Sequence, residues 1–129
     1  MKKKYLIVVA DYYKDIAKGL LDSATKLIPK SNTIKIVRVP GVFEIPVTIS
    51  KNINKYDAFL ALGCVIKGQT PHFDFISQVS TNAIMNLSVL NKKPIGNGII
   101  TCLNMKQAKA RKKKGAEAAD AVNSVLSQK

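Results

Sequence analysis

The chain alternates four times between a short run of apolar, mostly β-branched residues and a longer segment with helical periodicity. The short runs span residues 4–10, 33–39, 56–66 and 94–101. Each precedes a segment in which apolar residues recur every three or four positions, and these segments span residues 13–28, 43–53, 73–90 and 104–126. Strands that alternate with helices form a parallel sheet with helices on both faces, because each parallel connection crosses over the sheet. The sequence therefore predicts an α/β fold built on a four-stranded parallel sheet.

Three residues refine the bounds of the helices. Pro46 is tolerated only in the first turn of a helix, so the second helix should begin near Val42. Asn104 is a suitable N-cap for the last helix. Gly115 predicts a break or kink in that helix, just after a run of lysines.

The length of the chain, 129 residues, suits one hydrophobic core, so we expect one domain spanning residues 1–129.

No apolar run approaches the roughly 18 residues of a membrane-spanning helix, and we expect no membrane partner. Basic residues at the N-terminus precede an apolar stretch, as they do in secretory signals. That stretch covers only residues 5–10 before Asp11 interrupts it, which is too short for a signal sequence. We therefore expect a cytoplasmic protein.

The formal charge of +13 raises the question of nucleic-acid binding. Of the 21 basic residues, only Arg38 and Arg111 are arginine. Recognition of bases and phosphates relies on the planar guanidinium group of arginine, so the composition favours a lysine-rich, solvated surface and no nucleic-acid partner. The charge should still attract small anionic molecules.

The two cysteines, Cys64 and Cys102, lie in apolar, strand-like runs and lack the spacing of metal ligands. We expect buried free thiols and no metal site. No G-x-S-x-G motif and no Cys–His pair close in sequence is present, so no catalytic nucleophile is evident. No G-x-G-x-x-G follows the first strand, which disfavours a dinucleotide cofactor.

Ligands of parallel sheets bind beyond the carboxyl ends of the strands. The third strand ends in a Gly-containing turn, and the only histidine of the chain, His72, follows this turn. Histidine exchanges protons near neutral pH, and a turn that leads into a helix offers backbone N–H groups to an anion. His72 is therefore either a helix-start residue with a local hydrogen bond or the proton-transfer group of an anion-binding site.

Aromatic and charged residues follow the other strands. Glu44 either complements the dipole of the second helix or accepts hydrogen bonds from a polyol, beside the aromatic ring of Phe43. Tyr12 and Tyr13 either pack against the fold or offer a stacking surface to a planar ring. Arg111 is either solvated or binds a phosphate group through two hydrogen bonds.

Taken in order, these strand ends resemble the lumazine synthase family of riboflavin biosynthesis, from about Tyr5 to Ser124. The most specific segments are VPGVFEIP (39–46), LGCVIKGQTPHFDF (62–75), GNGIITCLN (96–104), QAKAR (107–111) and KGAEAA (114–119). The resemblance implies a flavodoxin-like, three-layer α/β sandwich. It also implies a transferase that condenses 5-amino-6-(D-ribitylamino)uracil with 3,4-dihydroxy-2-butanone 4-phosphate. The products are 6,7-dimethyl-8-ribityllumazine, phosphate and water, and no cofactor or metal takes part.

By the pattern of the family, one subunit provides most contacts to the pyrimidine substrate. Tyr12 occupies the position of the ring that stacks on the pyrimidine. Phe43 and Glu44, with the backbone at Val42, would hold the ribityl chain. The uracil would be bound by the backbone groups of Cys64, Val65 and Ile66.

The family pattern also implies how the second substrate is held. Gln69 and Thr70 would cradle the butanone phosphate, and His72 would be the proton shuttle. The site lies between neighbouring subunits of a pentamer, and the neighbour would contribute Asn97, Arg111 and Lys114, with Arg111 reaching the phosphate. Only residues 1–4 precede Tyr5, where the resemblance begins, whereas many members have a longer segment there. We therefore expect a pentamer rather than a capsid of sixty subunits, and pairing of two pentamers stays open.

The sequence departs from the common family pattern in four places. Asn97 stands where many members have Phe, Tyr13 replaces a frequent Asn, and Lys67 replaces a frequent Arg. The segment of three lysines that follows Arg111 is shorter than the usual Gly-rich linker. These departures leave open whether Tyr12 or Tyr13 stacks on the substrate. They also leave open a relative that binds ribitylated pyrimidines or flavins without turnover, and the charge leaves open a nucleic-acid-binding domain.

Overall fold

The computed structural model describes residues 2–68 and 72–128 of the chain. The strands are β1 (Lys4–Ala10), β2 (Thr33–Val39), β3 (Ala58–Ile66) and β4 (Ile95–Cys102). The helices are α1 (Lys14–Leu27), α2 (Ile45–Lys51), α3 (His72–Asn91), α4 (Met105–Ala110) and α5 (Lys114–Leu126), and a 3-10 turn (Val42–Glu44) precedes α2. The sheet is parallel throughout, with the strand order β2-β1-β3-β4. The predicted α/β, flavodoxin-like fold is confirmed.

The strand β1 shows how the sheet separates two hydrophobic cores. Ile7 and Val9 pack with α1 and α5, whereas Leu6 and Val8 pack with α2 and α3. We refer to these two sides as the α1/α5 face and the α2/α3 face. Because the central strand is buried on both faces, its sequence is a continuous apolar run instead of an alternating one.

On the α1/α5 face, the two helices approach each other closely at Gly115. A Cβ atom at this position would overlap the carbonyl oxygen of Leu20 and lie 2.6 Å from Ser23 Oγ. The Ser23 hydroxyl donates to the carbonyl oxygen of Lys112 (2.8 Å) and accepts from the N–H of Ala116 (3.1 Å). Only glycine fits between the helices at this point.

The prediction of a helix broken at Gly115 is only partly correct. The chain does leave the helical path, but at residues 111–113, and α5 begins at Lys114. Gly115 therefore lies in the first turn of α5, and its role is the close contact with α1. Asn104 caps α4 as predicted, because its Oδ1 accepts from the N–H of Gln107 at 2.9 Å.

The second helical segment is shorter than the predicted span of 43–53. Its first turn is the 3-10 turn that begins at Val42, and Pro46 lies in the first turn of α2. The predicted start is thus confirmed, but α2 ends at Lys51 because the chain turns at residues 52–55 before β3. The other boundaries agree to within two residues. None of the helices in the described residues is long and apolar enough to cross a membrane.

Candidate active site

The carboxyl end of the sheet contains a notch, because β3 extends beyond β1. The pairing of β1 with β3 ends at Val9 and Leu62, whereas the pairing of β3 with β4 continues to Ile66 and Cys102. Within the described sheet, residues 63–66 therefore have no paired strand on the side of β1. Backbone donors and acceptors on an unpaired strand edge bind a ligand much as they bind another strand. We call this feature the β3 notch.

The absence of a side chain at Gly63 allows close packing in the wall of the β3 notch. A Cβ atom at Gly63 would lie 2.8 Å from Val42 Cγ2 and 3.2 Å from the Cβ of Ala10. Glycine at this position lets the turn after β2 approach β3. The loops that follow β1 and β2 are thereby brought to the edge of the notch.

The two tyrosines that follow β1 lie in different environments. Tyr12 is 76% exposed, whereas Tyr13 packs against the core of the α1/α5 face. Their rings meet edge to face, with centroids 4.9 Å apart and planes at 85°. Burial, followed by the nearby Cys64 and Tyr12, raises the pKa of the Tyr13 hydroxyl. The Tyr12 ring is therefore exposed, and Tyr13 packs against it from the side of the core.

The 3-10 turn orients the carboxylate of Glu44. Its Oε1 accepts from the backbone N–H of Gly41 at 2.9 Å, and its own carbonyl oxygen accepts from the Thr48 hydroxyl at 2.8 Å. Oε2 has no hydrogen-bond partner among the residues that the structure describes. The neighbouring Phe43 ring is exposed. The turn thus presents one free carboxylate oxygen beside an aromatic surface.

The predicted proton-transfer residue, His72, is the first residue of α3, and it is exposed. Gln69 and Thr70, which were expected to cradle a phosphate group, lie outside the described residues. The start of the 20-residue helix α3 directs backbone N–H groups and the positive end of its dipole toward this region. An anion beyond the end of β3 would be stabilised there.

The two cysteines lie beside the β3 notch and have no disulfide partner. Cys64 and Cys102, on neighbouring strands, both pack against the core of the α1/α5 face. Burial, together with the nearby Cys102 thiol, raises the pKa of Cys64 to about 12. This thiol is protonated at neutral pH and is a poor nucleophile. The prediction of buried free thiols is confirmed for Cys102, while Cys64 is free but only partly buried.

Asn97, Arg111 and Lys114, three predicted site residues that are far apart in sequence, line one cavity at the outer edge of β4. The Arg111 guanidinium donates to the carbonyl oxygen of Thr101 at 3.1 Å. This bond orients the side chain, although Arg111 itself is exposed at the end of α4. The cavity is basic, and it suits an anionic group.

Comparison with known proteins gives the family that the motifs resembled. A family model described as 6,7-dimethyl-8-ribityllumazine synthase matches residues 2–129. The chain is 40% identical to the 6,7-dimethyl-8-ribityllumazine synthase of Agrobacterium fabrum (strain C58), over all of this chain and 97% of that protein. It is 42% identical to the 6,7-dimethyl-8-ribityllumazine synthase 1 of Rhodopseudomonas palustris (strain CGA009), over 95% of this chain and 83% of that protein. The corresponding enzyme of Methylorubrum extorquens (strain PA1) is also 42% identical, over 98% of this chain and 80% of that protein.

The chain belongs to the 6,7-dimethyl-8-ribityllumazine synthase family. The family that the motifs implied is therefore confirmed. So are the activity and the enzyme class, which is that of a transferase of riboflavin biosynthesis.

The structure places the predicted site residues in two groups. Tyr12, Val42, Phe43, Glu44, residues 64–66 and His72 follow the ends of the first three strands, whereas Asn97, Arg111 and Lys114 surround the cavity beside β4. Phe43 and Glu44 line a separate cavity between α2 and α3.

Sequence reasoning missed the supporting residues of the first group. Gly41 holds the Glu44 carboxylate and Gly63 admits Val42, but a glycine in sequence does not reveal its neighbour. Tyr13 was weighed as a stacking residue, and its supporting role depends on the core that α1 covers.

Proposed function

We propose that this enzyme makes 6,7-dimethyl-8-ribityllumazine from 5-amino-6-(D-ribitylamino)uracil and 3,4-dihydroxy-2-butanone 4-phosphate at the β3 notch. The 5-amino group adds to the ketone and loses water to form an imine, and elimination of phosphate converts the neighbouring carbinol carbon into a carbonyl. The ribitylamino nitrogen then closes the ring on that carbonyl carbon with loss of a second water. Each step moves a proton, and none needs a nucleophile on the enzyme. The observation that carries the proposal is the unpaired edge of β3, which gives a heterocycle backbone donors and acceptors beside the expected site residues.

The pyrimidine substrate is held by backbone and aromatic contacts. The backbone groups of Cys64, Val65 and Ile66 bind the uracil ring, and the exposed ring of Tyr12 stacks on it. Tyr12 is preferred to Tyr13 because the Tyr13 ring is committed to the core. Such fixed contacts hold the amine in register with the ketone, and correct positioning can contribute several kcal/mol, up to roughly 7–11 in the best intramolecular cases.

The ribityl chain lies against the 3-10 turn. The free Oε2 of Glu44 accepts hydrogen bonds from ribityl hydroxyls, while Oε1 stays bonded to the N–H of Gly41. The backbone at Val42 and the exposed ring of Phe43 complete this part of the site. Because the carboxylate is oriented before the substrate binds, little entropy is lost when the new hydrogen bond forms.

The phosphate of the second substrate binds near the start of α3. Gln69 and Thr70 cradle it, with the helix dipole contributing. A neighbouring subunit adds Arg111, with Asn97 and Lys114, whose shared cavity is basic. His72 then carries protons between the amine, the imine and the leaving groups.

The apolar surface of α3 supports assembly into a pentamer, in which each site lies between two subunits. The residues of α3 that are fully buried are Ile76, Ser80 and Ile84, while Phe75 and Met85 expose most of their surface. A helix that is apolar on several sides is normally covered by a partner. Two groups of site residues on different parts of one chain suit a head-to-tail ring, in which each subunit completes its neighbour's site. We place the assembled enzyme in the cytoplasm.

The proposal is tested by following the formation of the lumazine product from both substrates, against a control without enzyme. We expect the His72→Ala variant to keep its KM values and to lose about a hundredfold in kcat, the scale of one general acid–base group. Residual activity above the uncatalysed rate should remain, because positioning does not depend on this side chain. Unchanged kcat would remove His72 from the mechanism, and a folded wild-type protein that gives no acceleration would refute catalysis altogether.

A further inference from the structure

Arg111, which we assign to the substrate phosphate of a neighbouring site, lies at the end of a very short helix. The helix α4 has only six residues, Met105–Ala110, and Arg111 is its C-cap residue. A helix of this length has little stability of its own, because its nucleation fixes several residues for a single hydrogen bond. The position of α4, and with it the position of Arg111, must therefore be set by contacts with the rest of the fold.

Two hydrogen bonds of opposite direction fix the start of α4. The Oδ1 atom of Asn104 accepts from the backbone N–H of Gln107 at 2.9 Å. The Oε1 atom of Gln107 accepts in turn from the backbone N–H of Leu103 at 2.8 Å. This arrangement is similar to a capping box, in which the third residue of a helix reaches back to the chain before it. The Gln107 side chain thus ties α4 to the residue that directly follows β4.

The end of α4 is held against the same strand. The Arg111 guanidinium donates from Nη1 to the carbonyl oxygen of Thr101 at 3.1 Å, and the same nitrogen lies 3.9 Å from Cys102 Sγ. Between the two ends, Ala108 is buried in the core of the α1/α5 face. The helix α4 therefore folds back on the last residues of β4 and is attached there at both ends.

A guanidinium group that is already held in place binds a phosphate group more tightly than a mobile one. Thr101, Arg111 and Lys114 line the same cavity of about 750 Å³. The guanidinium has several N–H donors in one plane, so a bond to Thr101 leaves others that can face a phosphate group. Because the side chain is ordered before the anion arrives, less conformational entropy is lost on binding. Contacts that hold α4 in place thus contribute to the affinity for phosphate.

We propose that Gln107 is a positioning residue that acts through Arg111 on the phosphate group of the butanone phosphate. Its amide oxygen holds the start of α4, α4 carries Arg111, and the guanidinium is thereby kept beside Thr101. The inference rests on the proposed function, since it takes Arg111 as the ligand of the substrate phosphate. Gln107 itself touches neither substrate.

The Gln107→Met variant tests this role, because methionine keeps the size and the helix propensity of glutamine but is a much weaker acceptor. We expect the KM for the butanone phosphate to rise about fivefold, the scale of one neutral hydrogen bond. The KM for ribitylaminouracil should stay within about twofold. Gln128→Met, the same replacement at an exposed position beyond the end of α5, should leave both values unchanged. An unchanged KM for the butanone phosphate, or equal increases in both KM values, would overturn the proposal.

A double-mutant cycle separates an action through Arg111 from a general effect on the fold. In the Arg111→Ala background, Gln107→Met should change the KM for the butanone phosphate by less than about twofold, because the guanidinium that Gln107 positions is missing. A fivefold increase in that background as well would show that Gln107 acts independently of Arg111, and the proposal would fail. Thermal unfolding of each variant verifies that folded proteins are compared.

Binding of inorganic phosphate keeps this proposal distinguishable from the proposed function. Calorimetry at constant ionic strength gives the dissociation constant of phosphate without any turnover. We expect this constant to be about fivefold larger for Gln107→Met than for wild type, and unchanged for Gln128→Met. If the wild-type protein gave no lumazine product, the proposed function would fail, yet this difference would still support the role of Gln107. Equal dissociation constants for wild type and Gln107→Met would refute that role whether or not the protein is active.

Discussion

The two faces of the sheet bury alternate residues of the same strands, yet they differ in how completely they are closed. On the α1/α5 face, the backbone of α1 touches Gly115, and Ser23 links the two helices through hydrogen bonds. On the α2/α3 face, Val47 is 58% exposed and Met85 is 61% exposed, and a cavity remains between the helices.

This difference teaches that stability and recognition are divided between the faces. The α1/α5 face holds the larger hydrophobic cluster, and the supporting ring of Tyr13 packs into it. The α2/α3 face carries the residues assigned to the substrate chain and the apolar surface assigned to neighbouring subunits. A face that must receive ligands and partners cannot be closed by its own chain.

The largest effect is expected from a substitution that separates α1 from α5 on the α1/α5 face. Gly115→Val should destabilise the fold by about 3 kcal/mol or more, because no side chain fits between α5 and the Leu20 carbonyl. Denaturation by urea, followed by circular dichroism, measures this loss. Gly68→Ala is the control, since a Cβ there meets nothing within 4 Å. Its stability should stay within about 0.5 kcal/mol of wild type. A Gly115→Val protein as stable as the control would show that the closed face is not tightly packed.

A smaller effect, on assembly instead of folding, is expected when a charged side chain is introduced on the α2/α3 face. The proposed pentamer of 14.1 kDa chains has a mass of about 70 kDa, and Val47→Glu should shift the protein from this mass toward smaller species. A buried, unpaired carboxylate is unfavourable in an apolar contact. Val125→Glu places the same charge on the exposed surface of α5 and should leave the mass unchanged. Sedimentation measures both, and the opposite outcome would move the subunit contact to the α1/α5 face.

The smallest effect concerns how the Cys64 thiol, which lies beside the β3 notch, changes the stability of the fold at alkaline pH. Because the pKa of Cys64 is raised from 9.0 to about 12, the folded state keeps its proton at a pH where the unfolded chain loses it. The associated stability is therefore complete below about pH 9 and is lost as the pH rises toward 12. Unfolding by urea between pH 8 and pH 11 should show a shallower alkaline loss for Cys64→Ala than for wild type. Cys102→Ala, which keeps the Cys64 thiol, should retain most of the wild-type slope. Parallel slopes for Cys64→Ala and wild type would show that this thiol is not protected by burial.

Much of the candidate site could be predicted because its residues follow strands directly. Glu44 follows a Pro-Gly turn closely, and His72 lies at the start of a helix. Both positions can be recognised from the neighbouring residues in the sequence. The break before α5 was misplaced because Gly115 was judged by its helix propensity alone, whereas the contact with Leu20 is what requires it.

The sequence by itself determined the order of strands and helices, the parallel sheet, the family and the chemical types of the site residues. These features depend on periodicity and on short motifs, which are local along the chain. Only the tertiary structure decided that β3 extends beyond β1, that Arg111 bonds to Thr101, and that Gly115 lies against the Leu20 carbonyl. The physical reason is that strand register and helix packing join segments distant in sequence, so they set which polar groups remain unpaired.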